Sequence, residues 1–235
     1  MRNLYFVYDG VDSRDLGIRL QTPITIDGAS PNVETVVVTG RNGDLHQWDG
    51  SYSNRAATAK CFILTDHVWA YLRQMQIWSL LKPGYHRLET PEEPETYMMA
   101  MVSDGGETDI RGNVLAPFTI KFDCMPQKFL KSGEIPIMLT DKGAVYNDCF
   151  PALPLITVYG TGAGTLTIGG TTVSIKSIDQ WVTLDCETSE AYKNADNKNA
   201  TITAAKYPTL EHGSNAVTWT GGVTSVEITP RWWTL

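Results

Sequence analysis

The stretch from Asn215 to Leu235, NAVTWTGGVTSVEITPRWWTL, is strongly β-patterned. Two alternating runs flank Gly221-Gly222, a dipeptide that reaches the positive φ angles of a two-residue hairpin turn. The pattern therefore predicts a hairpin whose two strands share one face, formed by Val217, Trp219, Thr224 and Val226. The segment finishes on apolar residues, which predicts that its last part is packed onto other surfaces.

Period-two alternation of apolar and polar residues extends through most of the chain. It covers residues 58–63 and 118–124, and it appears again on both sides of Gly169-Gly170. Alternation of this kind is typical of strands with one buried and one wet face. We therefore predict a mainly β protein with a second two-residue hairpin at Gly169-Gly170.

One segment, residues 66–81, has a helical period instead. Val68, Leu72 and Met75 recur at spacings of four and three, and Lys82-Pro83-Gly84 is a typical helix stop. The pattern predicts an amphipathic helix that covers one side of an amino-terminal sheet. The strand pattern weakens around residues 131–134, which predicts two domains, residues 1–134 and 135–235.

Residues 39–55 resemble a projecting arm more than a core element. Turn signals at Asn42-Gly43 and Asp49-Gly50 flank very few apolar residues. Such an arm is a candidate oligomer contact, because a projecting hairpin can bind a neighbouring sheet. The candidate buried residues of that contact are Leu45, Trp48 and Tyr52.

The bulk properties exclude several function classes. The 235-residue chain carries a formal net charge of −7, with its basic residues scattered singly, which argues against specific DNA binding. No apolar run is long enough to cross a bilayer, and the first residues lack the order of a secretory signal. We expect no membrane insertion, and we expect synthesis in a cytoplasm.

No pattern indicates catalysis, and we predict no catalytic residue, no cofactor and no metal ion. Gly160 to Gly164 is glycine-rich, but no lysine and no helical pattern follow it, so a strand connection is favoured over a phosphate loop. The histidines and cysteines show no metal-ligand spacing. They are His46, His67, His86 and His212, and Cys61, Cys124, Cys149 and Cys186.

Several segments together resemble the distal tail protein family of long-tailed, non-contractile bacteriophages and prophages. The similarity extends over nearly the whole chain, and its order and spacing are more specific than any single piece. The matching segments are residues 215–235, FVYDGVDS at 6–13, KPGYH at 82–86, YMMAMVSD at 97–104, FTIKFDC at 118–124 and PLITVYG at 154–160.

The resemblance implies a structural role. It implies an amino-terminal β-domain with one α-helix that forms a homohexameric ring, and a carboxyl-terminal galectin-like β-sandwich. Such a ring joins the tail tube protein to the tail-tip proteins of the adsorption apparatus, and DNA passes through it without specific binding. The expected location is the tail tip of the virion.

A carbohydrate-binding β-sandwich that recognises cell-surface glycans is the alternative. Galectin-type sites use a His-Asn-Pro-Arg run and a tryptophan beside Gly-x-Glu, and neither occurs in residues 135–235. Four tryptophans of this half are nevertheless candidates for stacking on a sugar. They are Trp181, Trp219, Trp232 and Trp233.

Overall fold

The computed structural model describes residues 4–63, 75–79, 82–105 and 116–235. The chain divides into two compact units, Met1–Lys128 with Leu235, and Phe129–Thr234. The change of unit thus falls between residues 128 and 129, whereas the sequence pattern suggests a boundary between 134 and 135. No helix in the described ranges is long and apolar enough to cross a membrane.

The first unit is built on an antiparallel sheet with the strand order β2-β1-β8-β9-β10-β7-β3, and β4 also pairs with β7. Two further strands, β5 and β6, form a separate sheet. The strands are β1 Val7–Tyr8, β2 Val11–Asp12, β3 Ile18–Leu20, β4 Thr25–Ile26, β5 Ser30–Val36, β6 Leu45–Ser53, β7 Arg55–Ile63, β8 His86–Glu89, β9 Thr96–Asp104 and β10 Ala116–Leu130.

The core of this unit confirms the alternation predicted for residues 58–63 and 118–124. In the β7–β10 ladder Phe118 lies opposite Cys61 and Phe122 lies opposite Ala57, and all four side chains are buried. The Phe122 ring packs against Tyr8 with 5.4 Å between ring centroids. The polar residues between them point to the other face, as period-two geometry requires.

Only part of the predicted helix lies in the described residues. Residues 75–78 are helical, whereas residues 66–74, 80 and 81 lie outside the described ranges. The prediction that Met75 belongs to the packed face is wrong, because 56% of its surface is exposed. Ile77 is buried in the core instead, at 3% exposure.

The second unit contains one curled sheet with the strand order β11-β18-β13-β14-β15-β16, to which β12 and β17 are joined through β18 and β14. Short 3-10 turns lie at Lys131–Glu134 and Asn199–Thr201. The strands of this sheet are β11 Ile137–Leu139, β12 Gly143–Asn147, β13 Leu155–Ile168, β14 Thr171–Asp185, β15 Glu190–Lys193, β16 Asp196–Asn197, β17 Ile202–Thr203 and β18 Gly213–Thr229. A further short strand, β19 Trp233–Thr234, lies outside it.

The hairpin predicted at Gly221-Gly222 is wrong. Both halves of the segment belong to the single strand β18, which pairs with β13 from Thr229 down to Val217. The two glycines lie where the ladder shifts register. A Cβ atom on Gly222 would overlap the carbonyl oxygen of Thr161 and lie 2.8 Å from its carbonyl carbon. Glycine is therefore required at this position for close approach of two backbones, not for a chain reversal.

The same irregularity recurs in the neighbouring strands and explains the sandwich. β13 shifts register between Gly162 and Gly164 against β14, and between Gly160 and Gly164 against β18. Bulges bend strands, so aligned bulges fold one sheet over onto itself. Side chains from both sides of the bend, such as Val158 and Leu166, accordingly belong to one buried cluster.

The Gly169-Gly170 hairpin is confirmed. Ile168 pairs with Thr171 across the two glycines, whose φ values are +54° and +85°. These left-handed conformations match the type of turn that suits the twist of a two-residue hairpin. The apolar residues on both strands are buried as predicted, so the mainly β prediction is confirmed for this unit as well as the first.

Candidate assembly surface

The strands β5 and β6 form a two-stranded ribbon, residues 30–53, which we call the arm ribbon. It is joined by a loop at residues 37–44 and forms a sheet of its own. Every residue from 33 to 51 is exposed. The arm therefore begins earlier than the predicted residues 39–55. The prediction missed the first strand because no turn signal marks that strand in the sequence.

The ribbon does not bring the three candidate contact residues together. Val33 lies opposite Trp48 and Val36 lies opposite Leu45, in continuous register. Alternation then places Trp48 and Leu45 on opposite faces. Tyr52 shares the face of Trp48, and their rings make an edge-on contact with 5.5 Å between centroids.

The Asp49-Gly50 turn predicted from sequence is wrong, because these residues form a bulge within β6. Pro31 pairs with Tyr52 and Val33 with Trp48, so residues 49–51 oppose a single residue. The Asp49 carboxylate accepts bonds from the Ser51 amide (2.8 Å) and hydroxyl (2.7 Å), which lower the pKa of Asp49. The indole N–H of Trp48 donates to the Ser51 carbonyl at 2.8 Å. These bonds fix the orientation of the Trp48 ring.

Side-chain amides order the root of the arm ribbon. Within the ribbon, the Asn32 side chain joins the two strands by donating to the Ser51 hydroxyl at 2.8 Å. Just beyond the ribbon, Asn54 donates to the Tyr85 hydroxyl at 2.7 Å and to the Asp123 carboxylate at 2.9 Å. The root is thus held, while the outer part of the ribbon has no layer packed on either face among the described residues.

Arg55, the first residue of β7, is a buried charge directly after the arm ribbon. Its exposure is 5%, its Nη2 donates to the Pro126 carbonyl, and its Nε has no hydrogen-bond partner among the described residues. Burial lowers the pKa of this guanidinium. Sequence inspection did not identify Arg55, because nothing local distinguishes a buried arginine from the solvated ones.

The exposed apolar residues of the arm ribbon form its main chemical feature. Trp48 is 52% exposed and Val37, in the loop, is 77% exposed. Each face also carries a valine paired with a larger apolar residue, Val33 with Trp48 and Val36 with Leu45. An isolated two-stranded hairpin is marginal in water, and exposed apolar patches of this kind mark interaction sites.

The histidine, cysteine and acidic side chains of the described residues were candidates for metal binding or nucleophilic chemistry. Among the described residues, no group of three histidine, cysteine, aspartate or glutamate side chains is placed to hold a metal ion. Burial raises the pKa of the Cys61, Cys124 and Cys186 thiols to about 12. Cys149 is only partly buried, and burial raises its pKa too, so none of these thiols has the lowered pKa of a nucleophile.

Two further polar candidates, His86 and Glu93, have structural partners. The His86 ring approaches the Asp9 carboxylate at 3.2 Å, and Lys82 lies 2.6 Å from the same carboxylate, which lowers the pKa of Asp9. His67 lies outside the described residues. Glu93, from the acidic proline loop, forms an ion pair with Lys128 at 2.6 Å.

The four candidate tryptophans of the second unit do not form an open platform. Trp219 is 7% exposed and belongs to the core. The Trp181 ring is covered by the Lys193 ammonium at 4.5 Å, and Trp233 stacks on Phe150 with 4.7 Å between centroids. Trp232 is partly buried and packs against the core cluster.

Comparison with known proteins identifies a shared fold. No family model matches the sequence, and no curated protein matches it. Among solved structures, the chain is similar to the Dit protein (gp 19.1) of SPP1, described as a paradigm of the hub adsorption apparatus in phages that infect Gram-positive bacteria. The TM-score is 0.73, 99% of each chain is covered, and 14% of residues are identical. The similarity noted in the sequence is thus confirmed at the level of the fold, over the whole length of both chains.

Proposed function

We propose that this chain is a distal tail protein of a long-tailed, non-contractile bacteriophage or prophage. In this role it forms a homohexameric ring that joins the tail tube protein to the tail-tip proteins of the adsorption apparatus. The observation that carries the proposal is the fold shared with SPP1 Dit over 99% of both chains. The matching sequence segments are spread across both units, which favours common function over a shared architecture alone.

The arm ribbon supports the assembly part of the proposal. A cyclic ring needs a heterologous contact, in which one surface of each copy binds a different surface of the next copy. The ribbon provides such a surface, because its apolar side chains find no cover among the described residues of their own chain. We assign Trp48 and Tyr52 to the primary contact and Leu45 to a second contact on the opposite face.

The division of labour follows the two predicted domains. Residues 1–134 would form the ring, and residues 135–235 would form a galectin-like sandwich. The net charge of −7 is compatible with a ring that passes DNA without holding it, since basic walls would bind phosphate. The protein would be made in the host cytoplasm and would reside at the tail tip of the virion.

Light scattering coupled to size-exclusion chromatography tests the ring directly. Six copies of 26.0 kDa give 6 × 26.0, or about 156 kDa, and negative-stain images should then show sixfold rings. If the free protein is monomeric, the same measurement is repeated after incubation with purified tail tubes. A chain that remains monomeric and leaves the tubes undecorated would overturn the ring.

Three variants separate the faces of the arm ribbon. Trp48→Asp places a charge in the primary contact and should leave monomers, whereas Thr218→Asp, at an exposed polar position of β18 outside the arm ribbon, should leave the ring intact. Leu45→Asp tests the second face, and dissociation there would show that both faces are buried. Intact rings from Trp48→Asp would refute the assignment of its face.

The tail-tip location has its own experiment. Antibodies raised against the purified chain should label virions at the junction between tube and tip in electron micrographs. Label along the whole tube, or on the head, would contradict the proposed position even if the protein forms rings.

A further inference from the structure

The second unit contains a pocket that the assembly role does not use. Its volume is about 320 Å³, and its lining is more apolar than polar. Six residues from three segments line it, namely Asp148, Cys149, Phe150, Pro151, His212 and Thr234. This volume lies at the lower end of the roughly 300–1,000 Å³ typical of small-molecule sites, which suits one small ring better than an extended chain.

A fully buried asparagine holds the first rim segment. The Asn147 side chain donates to the carbonyls of Phe150 (3.0 Å) and Leu210 (2.8 Å), and it accepts from the Cys149 amide at 2.8 Å. Asn147 has 0% exposure, so these bonds are made in a dry environment. The turn at residues 147–150 is therefore fixed before any ligand arrives.

A second buried asparagine holds the other rim. The Asn215 side chain, 2% exposed, accepts from the Glu211 amide at 2.9 Å and donates to the carbonyls of Glu211 (2.7 Å) and Gly213 (3.1 Å). These bonds enclose the turn that carries His212. Two saturated, buried amides thus pre-organise both rims, which is the support expected of a binding site.

The apolar floor is also fixed. One face of the Phe150 ring stacks on Trp233, with 4.7 Å between centroids and 19° between planes. The Trp233 indole donates to the Pro151 carbonyl at 2.9 Å, and the Phe150 amide donates to the Trp233 carbonyl at 3.3 Å. One face of the Phe150 ring is covered in this way, and Phe150 and Pro151 together line the pocket.

The polar groups around the floor differ in hydrogen-bonding character. The exposed Asp148 carboxylate accepts, the His212 ring both donates and accepts, and the Thr234 hydroxyl does both. Sugar hydroxyls also donate and accept, while the C–H face of a pyranose is apolar and packs on aromatic rings. A basic side chain only donates, so it would bind Asp148 but would offer no acceptor to the N–H of His212 or the O–H of Thr234.

We propose that this pocket binds a single pyranose ring, with its C–H face on Phe150 and its hydroxyls on Asp148 and His212. The site is distinct from the galectin-type pattern sought in the sequence, and it does not depend on the ring assembly. In this site Trp233 supports the Phe150 ring by stacking on it. The chain would thereby contribute sugar contacts of its own.

Saturation-transfer NMR on the full chain tests the site with D-glucose, D-galactose, D-mannose and N-acetyl-D-glucosamine, with glycerol as the polyol control. At least one pyranose should bind in the millimolar range. Asp148→Asn and Phe150→Leu should each weaken it at least tenfold. Tyr146→Leu, which removes a 68%-exposed aromatic ring from the nearby strand β12, should leave affinity unchanged.

Three results would overturn the proposal. The first is no transfer to any of the four sugars beyond that to glycerol, and the second is equal affinity in wild type and Asp148→Asn. The third is tighter binding of Nα-acetyl-arginine amide than of every sugar, which would assign the pocket to a protein side chain. Asp148→Asn preserves shape at an exposed position, so it remains informative if Phe150→Leu fails to fold.

Discussion

Replacing Gly222 by alanine should destabilise the second unit far more than a glycine substitution usually does. Gly222 has no positive φ, so its backbone conformation is open to any residue. The obstacle is space, because an added Cβ would overlap the Thr161 carbonyl oxygen and lie 3.3 Å from the Ala163 carbonyl oxygen. Both neighbours are backbone atoms of the paired strand, which cannot rotate away.

The expected loss of stability follows from the overlap between the added Cβ and the Thr161 carbonyl oxygen. Overpacking in well-packed regions costs about 1–3 kcal/mol, and a clash with backbone belongs at or above the upper end. A loss of about 3 kcal/mol in a domain of this size lowers the melting temperature by roughly 10–20 °C. Calorimetry gives the transition, and hydrogen exchange of residues 213–229 shows that the second unit is the part affected.

Two further glycines supply matched controls. Gly28 has neither a positive φ nor any atom within 4 Å of an added Cβ, so Gly28→Ala should change stability by less than about 0.5 kcal/mol. Gly170 has φ +85° but open space, so Gly170→Ala isolates the conformational cost, about 1–2 kcal/mol. If Gly222→Ala is as stable as Gly28→Ala, the close approach of β13 and β18 is refuted.

Three more outcomes are expected. Ellman's reagent should titrate only Cys149 in the folded protein and all four thiols after unfolding, and a second fast thiol would contradict the burial of the other three. Arg231 makes two bonds to Asp185, at 2.7 and 3.1 Å, and lowers the pKa of that carboxyl, so Arg231→Gln should lose roughly 1–2 kcal/mol at neutral pH. A depressed carboxyl pKa stabilises above the unfolded value, so urea titrations should show this loss fading as pH falls through the folded pKa of Asp185. Asn147→Ala should cost about 2 kcal/mol, since it removes the donor to the Phe150 carbonyl, one of two donors to the Leu210 carbonyl and the acceptor of the Cys149 amide; unchanged stability would mean that the turn is not held by this side chain.

The sequence was sufficient for strands whose neighbours impose a simple alternation. The core faces of β7 and β10 follow from period two alone, because one side of each strand is dry. The Gly169-Gly170 hairpin also follows, since its turn depends only on two adjacent residues. In such places the local signal and the long-range structure agree.

The Gly221-Gly222 prediction failed because a two-residue hairpin and a bulge share one local signal. Both structures favour glycine. A hairpin turn reverses the chain and needs positive φ angles, whereas this bulge brings a different strand very close and leaves no room for a Cβ atom. The deciding fact is that β13 runs along both halves of β18, a pairing between residues about sixty positions apart in the chain. No window around the glycines contains that information.

The three candidate contact residues do not share one face of the ribbon, for a related reason. Leu45 and Trp48 are separated by three positions, which puts them on opposite faces of a continuous strand. The assumption that Asp49-Gly50 turns the chain obscured this parity, whereas the structure places a bulge there and keeps Trp48 and Tyr52 on one face. Leu45 and Trp48 both precede the bulge, so the bulge does not change which faces their side chains occupy.

The second unit buries its own apolar side chains, whereas the arm ribbon leaves its apolar side chains exposed. In the second unit, aligned bulges let one sheet provide both layers of its own core, so Val158 and Leu166 from one strand serve different layers. Buried amides of Asn147 and Asn215 then fix the loops at low cost, because all their hydrogen bonds are made within the unit. Asn32 within the arm ribbon and Asn54 just beyond it fix only the root, and the exposed Trp48 face gains no such burial. Ordering each backbone residue costs roughly 1–2 kcal/mol, so a ribbon with two wet faces needs apolar burial from elsewhere to become rigid. That imbalance is the physical argument behind the proposed role of the arm ribbon as one side of an interface.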